Sequence, residues 1–260
     1  RPSLEDAHAR GIDAVAVVTL HGYRFPDHEQ QIGALARQIG FRQISLSHVT
    51  SPLMKLVSRG DTTVVDAYLS PILLRYRNRV QQALPGVPLY FMQSNGGLAH
   101  ADHFHGKDAI LSGPAGGIVG AVKTAAQSGY TRLIGFDMGG TSTDVTHYNG
   151  SYERSFDTQV AGVRMRVPMM HIHTVAAGGG SILAFDGSRF RVGPDSAGAN
   201  PGPAGYRRGG PLTVTDCNIL LGRIDPQSFP NVFGPTGDQP LDREIVTARF
   251  QEIADAITAS

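Results

Sequence analysis

This chain of 260 residues has little of several residue types that mark particular classes of protein. It has one cysteine, Cys217, so no disulfide can form within the chain, and it has no tryptophan. Its 23 lysines and arginines nearly balance its 22 aspartates and glutamates, which gives no electrostatic case for a nucleic-acid or membrane partner. No run approaches the roughly 20 apolar residues of a membrane span. These absences favour a reducing, cytoplasmic location.

Glycine is the residue type in excess, with 32 residues. These glycines cluster in a few loops, which is typical of backbone that approaches a ligand or another segment closely. The length of the chain allows one large or two medium domains.

Hydrophobic spacing alternates between strand and helix through the first half of the chain. Strand spacing occurs at 13–20, 43–49, 88–93 and 132–137. Helical spacing lies between these segments, at 27–40, 61–84 and 114–126. Asp27 is expected to cap the first helix, and Pro71 to kink or divide the second. The alternation predicts an α/β fold with substantial parallel sheet.

The pattern changes after residue 144. Short antiparallel strands are predicted at 145–148, 152–156, 160–167 and 171–176. The Gly/Pro-rich stretch 186–216 is predicted as a long loop, which in a compact domain is typically functional or disordered. Asp216 is expected to cap a helix over 217–221, and a last helix follows over 241–258.

The most informative stretch is 133–145, LIGFDMGGTSTDV. A short apolar strand leads to Asp137 and then to a turn of two glycines and three hydroxyl residues, and Asp144 lies in the following strand. Such a hairpin offers bare N–H groups and short hydroxyls to phosphate oxygens. A carboxylate at the strand end suits hydrated Mg²⁺, which uses few protein ligands. The pattern predicts half of a nucleotide-phosphate clamp.

A second small-residue motif, Ser112–Gly117 (SGPAGG), opens the helix before this strand. A helix N-terminus carries a partial positive charge that suits an anion. Close helix packing explains the small residues equally well, so both interpretations stay open.

Together the two motifs resemble the second-lobe signature of the actin-like ATPase superfamily, whose fold is ribonuclease H-like and two-lobed. A narrower resemblance, to the hydantoinase A/5-oxoprolinase family, extends in order over nearly the whole chain. Its blocks are RGDTTVVDAYLSP (59–71), MQSNGGL (92–98), LSGPAGGIVGA (111–121), FDMGGTSTDV (136–145), IHTVAAGGGSI (172–182), VGPDSAGANPGPAGYRRGGPLTVTDCNILLGRIDP (192–226) and FGPTGDQPL (233–241). The last two blocks favour the 5-oxoprolinase branch.

The resemblance implies ATP-dependent opening of a lactam: 5-oxo-L-proline, ATP and water give L-glutamate, ADP and phosphate, a step of glutathione metabolism. It implies ATP and Mg²⁺ as cofactors, with K⁺ as a further candidate. The implied partners are the lactam, a hydantoinase B-type region or subunit and, in the full-length form, further copies of the chain. A hydantoinase A-type or acetone-carboxylase-type subunit is the alternative. A non-catalytic actin-like nucleotide-dependent regulator is the alternative of another class.

The resemblance also assigns roles to residues. Asp137 becomes the metal-linked catalytic carboxylate, and Asp144 a catalytic residue or, as the preferred interpretation, a brace of the hairpin. Nucleotide contacts are assigned to Gly113, Gly116, Gly117, Gly139, Gly140, Thr141, Ser142, Thr143, Gly178, Gly179, Gly180 and Ser181. Lactam contacts are assigned to Ser94, Asn95, Gly96 and Gly97, with a plain Asn-Gly turn as the rival interpretation.

The resemblance is incomplete. Nothing here matches the family's first phosphate loop or its B-type region, and the chain begins with Arg1. Residues 1–110 are therefore expected to be the later part of the first lobe, and 111–260 part of the second, in a piece that alone turns over no 5-oxoproline. Family members usually read Pro-Gly-Pro-Ala-Cys-Tyr, whereas this chain has Gly205 before Tyr206, which leaves an altered activity open.

Overall fold

The computed structural model describes residues 1–160 and 162–258. The chain forms two compact units. Unit 1 comprises 1–133 and 147–172, and unit 2 comprises 134–146 and 173–260. The unit boundaries differ from the expected lobe boundary at residue 110, and the lobe assignment stays a prediction. Among the described residues, no helix is long and apolar enough to cross a membrane.

Helices and strands alternate in the first half of the chain, and strands dominate the middle. The helices are α1 (Pro2–Ala9), α2 (Asp27–Ile39), α3 (Ser47–Thr50), α4 (Leu56–Ala83), α5 (Ser112–Gln127), α6 (Val214–Leu220) and α7 (Arg243–Thr258). The strands are β1 (Ala14–Val17), β2 (Gln43–Leu46), β3 (Tyr90–Met92), β4 (Leu98–His100), β5 (Arg132–Met138), β6 (Thr143–Asn149), β7 (Arg154–Val160), β8 (Val163–Met170), β9 (His173–Val175), β10 (Ser181–Phe185) and β11 (Phe190–Ser196).

The sheets are small. β1 and β2 pair in parallel, whereas β3–β4, β6–β9, β7–β8 and β10–β11 pair antiparallel, and β5 lies beside β6. The α/β prediction is confirmed, but the expected extent of parallel sheet is wrong for the described residues. Connections such as 93–97 between β3 and β4 are too short for the crossover that parallel neighbours need.

Several local predictions need correction. The helix through Pro71 is continuous over 28 residues, so Pro71 does not divide it, whereas a kink there stays a prediction. Thr213 rather than Asp216 caps α6, with Asp216 completing the capping box. Asp27 is the first residue of α2 rather than its cap. The predicted loop 186–216 contains β11, which pairs with β10. The strand predicted at 160–167 includes residue 161, which lies outside the described residues, and the described part divides between β7 and β8.

Each unit has its own core. In unit 1, α5 contributes Ala115, Ile118 and Val122 to a cluster with Met170. In unit 2, α6 and α7 pack through Ile219 and Val246, and this cluster also includes Phe233 and Leu241. The packing of α6 against α7 holds the C-terminal part of unit 2 together through apolar burial.

Unit 1 also has a buried polar centre, made of Glu29, Ser47 and Arg59 with the neighbouring Thr19 and His48. Glu29, Ser47 and Arg59 are fully buried. The Ser47 hydroxyl donates to Glu29 Oε1 at 2.5 Å and accepts from Arg59 Nε at 2.8 Å, so it links the two charges. The sequence patterns gave no indication of this centre.

Candidate functional site

The turn between β5 and β6 comprises residues 139–142 and belongs to unit 2. The N–H of Gly139 donates to the carbonyl of Ser142 at 2.9 Å and closes the turn. Asp137 is the second-last residue of β5, and its side chain is exposed. The geometry thus places the carboxylate and the glycine turn next to each other, as the sequence predicted.

A second backbone segment, Gly178–Ser181, supports this turn from one side. The N–H of Gly179 donates to the carbonyl of Gly139 at 2.9 Å, and the N–H of Gly180 to that of Gly140 at 2.6 Å. The C=O and the following N–H of a trans peptide point in opposite directions. The N–H groups of Gly140 and Thr141 therefore point away from this support.

Three consecutive N–H groups of the turn have no acceptor. Within the described part of the chain, the N–H groups of Gly140, Thr141 and Ser142 donate no hydrogen bond. Successive free backbone N–H groups in a turn form a concavity that binds anions. The hydroxyls of Thr141 and Ser142 also have no bond to the described residues. The turn therefore offers donors for the oxygens of a phosphate.

The glycines of the turn are not explained by the packing of the chain. A Cβ on Gly140 would meet no atom within 4 Å, and one on Gly139 only the Ser142 carbonyl at 3.5 Å. Neither residue is among those with positive φ. The fold would accept a side chain at Gly140, whereas a ligand that approaches the backbone closely would not.

The segment Gly178–Ser181, which the resemblance assigns to the nucleotide, packs against the turn. A Cβ on Gly178 would lie 2.8 Å from the Gly139 carbonyl oxygen, and one on Gly180 2.8 Å from that of Gly140. Ser181 is buried, and its hydroxyl accepts from the Gly178 N–H at 3.0 Å. These residues must be small because they pack against the turn itself. They support the hairpin, and the nucleotide contact assigned to them stays a prediction.

Two further assigned residues stabilise the hairpin. Thr143 is buried, and its hydroxyl donates to the Ala177 carbonyl at 2.6 Å, so this hydroxyl is not available to a phosphate. Asp144 accepts from the Thr174 hydroxyl at 2.6 Å, across the β6–β9 pair. The contact supports the interpretation of Asp144 as a brace, and a catalytic role for it stays a prediction.

Asp137 is the carboxylate that remains free at the hairpin. Its side chain has no hydrogen bond or ion pair with the described residues. No group of three metal-binding side chains occurs among those residues. Mg²⁺ typically binds through one or two carboxylates and the phosphates of its ligand, so a single exposed carboxylate beside free N–H groups fits it.

The helix α5 begins without a side-chain cap. Leu111, at its N-cap position, has a φ of 57°, and no acidic residue lies in the first turn. A Cβ on Gly113 would meet nothing within 4 Å, and one on Gly116 would lie 3.5 Å from Met92 Cγ. This helix N-terminus suits an anion. Because Gly113, Gly116 and Gly117 belong to unit 1, a cleft shared with the hairpin stays a prediction.

The residues assigned to the lactam form the β3–β4 turn. Ser94 is buried, and its hydroxyl donates to the Asp108 carbonyl at 2.7 Å. The Asn95 side chain accepts from the Gly97 N–H at 2.6 Å, and Gly96 has a φ of 81°. These contacts are those of an Asn-Gly turn, so they favour the rival interpretation. A substrate role for Asn95, Gly96 and Gly97 stays a prediction. For Ser94 it also stays a prediction, although the hydroxyl already donates a hydrogen bond within the chain, which counts against that role.

Gly205 lies in the core of unit 2. Its N–H donates to Asp216 Oδ1 at 2.9 Å, and Asp216 also accepts from the Ala204 N–H at 3.1 Å. A Cβ on Gly205 would meet Ile219 Cδ1 at 3.0 Å and Val246 Cγ2 at 3.3 Å. A cysteine here would face packed side chains, so its absence removes no exposed reactive group.

Sequence reasoning missed Thr215. Its N–H and hydroxyl donate to the Gly179 carbonyl at 2.8 and 2.9 Å, so Thr215 holds the segment that supports the hairpin. It lies in the TVTD run of the resemblance, but the contact is made across 36 residues. No spacing pattern in the sequence reveals it.

Solved structures share the fold. A nucleotide-free structure of acetone carboxylase matches 99% of this chain and 38% of that chain, with a TM-score of 0.74 and 24% identity. The crystal structure of an ATP-dependent caprolactamase from Pseudomonas jessenii matches 99% of this chain and 38% of that one, with a TM-score of 0.71 and 34% identity. The chain thus has the α/β fold of this class of ATP-dependent enzymes.

The chain belongs to the hydantoinase/oxoprolinase family. Residues 59–260 match the family described as Hydantoinase/oxoprolinase, and residues 1–40 match its N-terminal region. The 5-oxoprolinase of Saccharomyces cerevisiae is 49% identical over 99% of this chain and 20% of its own length. The caprolactamase subunit alpha of P. jessenii is 39% identical over 82% of this chain and 32% of that subunit. The chain therefore spans about a fifth of the 5-oxoprolinase relative.

Proposed function

We propose that this chain is the phosphate-binding part of an ATP-dependent lactam hydrolase that converts 5-oxo-L-proline, ATP and water into L-glutamate, ADP and phosphate. The observation that carries the proposal is the row of free N–H groups at Gly140, Thr141 and Ser142 beside the free carboxylate of Asp137. Membership of the hydantoinase/oxoprolinase family and the high identity to a 5-oxoprolinase supply the substrate class.

The roles of the residues follow from what phosphoryl transfer needs, which is positioning and neutralisation of charge. The N–H groups of the turn and the hydroxyls of Thr141 and Ser142 bind and orient phosphate oxygens. Asp137 would hold Mg²⁺, which would neutralise charge on the phosphates, and K⁺ is a further candidate cation. ATP, when bound, supplies the phosphoryl group that turns the lactam oxygen into a leaving group. Gly178–Ser181 and Thr143 keep the turn rigid while this happens.

The partners proposed for the whole enzyme are a lactam and a hydantoinase B-type region or subunit. One relative is called a subunit alpha, which supports an assembly with a further subunit. We also propose a cytoplasmic location, and the division into a later first lobe (1–110) and part of a second lobe (111–260). The isolated chain is expected to bind nucleotide without releasing glutamate.

Thermal unfolding with and without MgATP tests the nucleotide site. Ligand at about 100 times its Kd adds about 2.7 kcal/mol, or roughly 5–11 °C in Tm for a chain of this size. We expect this shift in the parent chain, its loss in Asp137→Ala, and its retention in the control Asp195→Ala, which removes an exposed carboxylate on β11. No shift in the parent, or equal shifts in both variants, would contradict a nucleotide site at this hairpin.

A second candidate is an enzyme of the same chemistry with another cyclic amide, favoured by the identity to caprolactamase subunit alpha. Comparing ATP hydrolysis by the complete enzyme with 5-oxoproline, caprolactam and hydantoin separates these substrates. A non-catalytic regulator predicts ATP binding that none of the three compounds stimulates to hydrolysis.

A further inference from the structure

Thr215 and two peptide groups form a row of hydrogen bonds that ends at the turn between β5 and β6. Thr215 donates its hydroxyl and its N–H to the Gly179 carbonyl at 2.9 and 2.8 Å. The peptide group of this carbonyl carries the N–H of Gly180, which donates to the Gly140 carbonyl at 2.6 Å. The next peptide group carries the N–H of Thr141, which has no acceptor among the described residues. The row therefore leads from Thr215 to a free donor of the turn.

The peptide groups of this row are rigid. A trans peptide is planar, and its C=O and N–H point in opposite directions. A contact that fixes the Gly179 carbonyl therefore also fixes the direction of the Gly180 N–H. This N–H fixes the Gly140 carbonyl, and with it the direction of the Thr141 N–H. Thr215 thus controls the direction of a donor that it does not contact.

The first turn of α6 holds Thr215 in place. Thr215 lies two residues after the N-cap residue Thr213, at a position whose N–H has no acceptor within the helix. The next residue, Asp216, is fully buried and accepts from the N–H and the hydroxyl of Thr213. Asp216 also accepts from the N–H groups of Ala204 and Gly205. The row of hydrogen bonds therefore starts at a fixed point of unit 2.

The fold does not need both bonds of Thr215 to the same carbonyl. The N–H of Thr215 alone satisfies the Gly179 carbonyl, so removal of the hydroxyl leaves no buried acceptor without a partner. The hydroxyl also lies close to the Gly179 backbone, because a Cβ on Gly179 would be 2.7 Å from Thr215 Oγ1. The hydroxyl therefore determines where the carbonyl lies, and the N–H is enough to satisfy it.

A neighbouring row of the same kind does not include Thr215. The Gly179 N–H donates to the Gly139 carbonyl at 2.9 Å, and the peptide group of that carbonyl carries the N–H of Gly140. Two donors of the turn are thus oriented by separate rows. A change at Thr215 should act on the Thr141 N–H more than on the Gly140 N–H.

We propose that Thr215 is a positioning residue of the nucleotide site, which directs the Thr141 N–H towards a phosphate oxygen. The inference rests on the function proposed above, because it requires that the turn binds phosphate. Hydrogen bonds in a row polarise one another, so the two donors of Thr215 also strengthen the Thr141 N–H as a donor to an anion. Donors that are oriented in advance need no reorganisation when the charge binds. Loss of the Thr215 hydroxyl should therefore weaken nucleotide binding with little effect on the fold.

Calorimetric titration of the 260-residue chain with MgATP tests the proposal. Thr215→Val keeps the shape of the side chain without the hydroxyl. We expect it to raise the Kd for MgATP about tenfold, as loss of a partner behind the first ligands does at metal sites. Thr215→Ser, which keeps the hydroxyl, should bind MgATP like the parent. The matched control Thr247→Val, which removes a hydroxyl that donates to the Arg243 carbonyl at 2.9 Å on α7, should leave the Kd unchanged.

Two measurements without nucleotide separate positioning from a purely structural role. The urea midpoints of Thr215→Val and Thr247→Val should be similar, because each variant loses one bond from a hydroxyl to a carbonyl. In amide NMR spectra, Thr215→Val should shift the signals of Gly180 and Thr141 more than that of Gly140. A structural role alone predicts a larger loss of stability than in the control, with the Kd unchanged.

The outcomes distinguish this inference from the proposed function. If the parent and Thr215→Val bind MgATP equally well, Thr215 is not a positioning residue, and the proposed function is unaffected. If the parent does not bind MgATP, the nucleotide site at this hairpin is contradicted and the inference falls with it. An unchanged Thr141 amide signal in Thr215→Val would overturn the inference at any affinity.

Discussion

The β5–β6 hairpin of unit 2 and the polar centre of unit 1 are held in place by different kinds of contact. At the hairpin, backbone contacts backbone, as in the bonds from Gly179 and Gly180 to the carbonyls of Gly139 and Gly140. In the polar centre, the contacts run through side chains. Glu29 accepts from the Thr19 N–H at 2.9 Å and the His48 N–H at 2.9 Å, in addition to the Ser47 hydroxyl.

The difference determines which substitutions each region tolerates. The hairpin depends on the absence of side chains on its supported face, because a Cβ there would meet backbone that cannot move aside cheaply. The polar centre depends on particular side chains, because each one satisfies a buried charge or donor. Three predictions test this distinction, and a fourth extends it to a glycine in the core of unit 2; they follow in order of decreasing effect.

Removal of the carboxylate from the polar centre should have the largest effect. In Glu29→Ala, the donors of Thr19, Ser47 and His48 lose their common acceptor, and Arg59 loses the buried negative charge to which Ser47 links it. Breaking a buried charge network in this way costs about 3–5 kcal/mol of unfolding free energy. Urea unfolding measures the loss.

The matched control for this prediction is Glu5→Ala, which removes an exposed carboxylate that pairs with Arg1 at 2.8 Å. An exposed pair contributes about 1 kcal/mol or less. A loss below about 1 kcal/mol in Glu29→Ala, similar to the control, would mean that the polar centre is not what holds α2 and α4 together.

The polar centre should also make unit 1 sensitive to acid. Burial raises the pKa of Glu29, but the hydrogen bonds from Ser47, His48 and Thr19 outweigh it and lower this pKa from 4.5 to about 2. A carboxyl whose folded pKa is depressed contributes stability above its unfolded pKa and loses it as pH falls through the folded value. The loss should extend from about pH 4.5 to pH 2 and amount to roughly 3 kcal/mol.

Urea unfolding at a series of pH values for the parent and Glu29→Gln measures this contribution. Glutamine keeps the shape but cannot titrate, so the stability of the variant should fall less on acidification. The variant His48→Gln, which replaces the ring whose nitrogen lies 2.8 Å from Glu29 Oε2, is measured over the same pH series as a control. If the unfolding free energies of the parent and Glu29→Gln fall equally between pH 4.5 and pH 2, Glu29 is not the source of the acid sensitivity.

At the hairpin, Gly180→Ala should cost about 1–3 kcal/mol of unfolding free energy, because the added methyl group lies 2.8 Å from the Gly140 carbonyl and displaces the turn. The control Gly120→Ala adds the same group on α5, where nothing lies within 4 Å. It should stabilise the chain by about 0.5–1 kcal/mol. Chemical denaturation measures both. Equal effects of the two substitutions would show that Gly180 does not support the turn.

The sequence predicts those parts of the structure that depend on local signals. The hairpin 133–145 was predicted because glycines and hydroxyl residues follow an apolar strand without interruption, and the turn forms as expected. The support of the turn by Gly178–Ser181 was not predicted, because its bonds join residues about 40 positions apart. The resemblance assigns Thr143 to the nucleotide, but its hydroxyl donates to the Ala177 carbonyl. Local sequence does not reveal this contact, because the side to which a strand residue points depends on the register of the strand.

The helix α4 illustrates the same limit. Its apolar spacing predicts a helix, and the helix exists, yet spacing alone does not state which side is buried. Here Ser45, Ser47 and Lys107, from segments far along the chain, select the polar side. Side-chain networks of this kind are specified by partners distant in sequence, so a periodic pattern cannot reveal them.

The smallest expected effect concerns Gly205, the position at which the family usually has cysteine. Because φ at Gly205 is not positive and the nearest atom to an added Cβ is the end of the Ile219 side chain, at 3.0 Å, Gly205→Cys should fold and lose about 1 kcal/mol. In a Cys217→Ser background, the native protein should react with a thiol reagent only at the rate of unfolding. A fast reaction would show that the thiol at position 205 is accessible. Glycine at this position would then mean the loss of an exposed reactive thiol, not of a buried one.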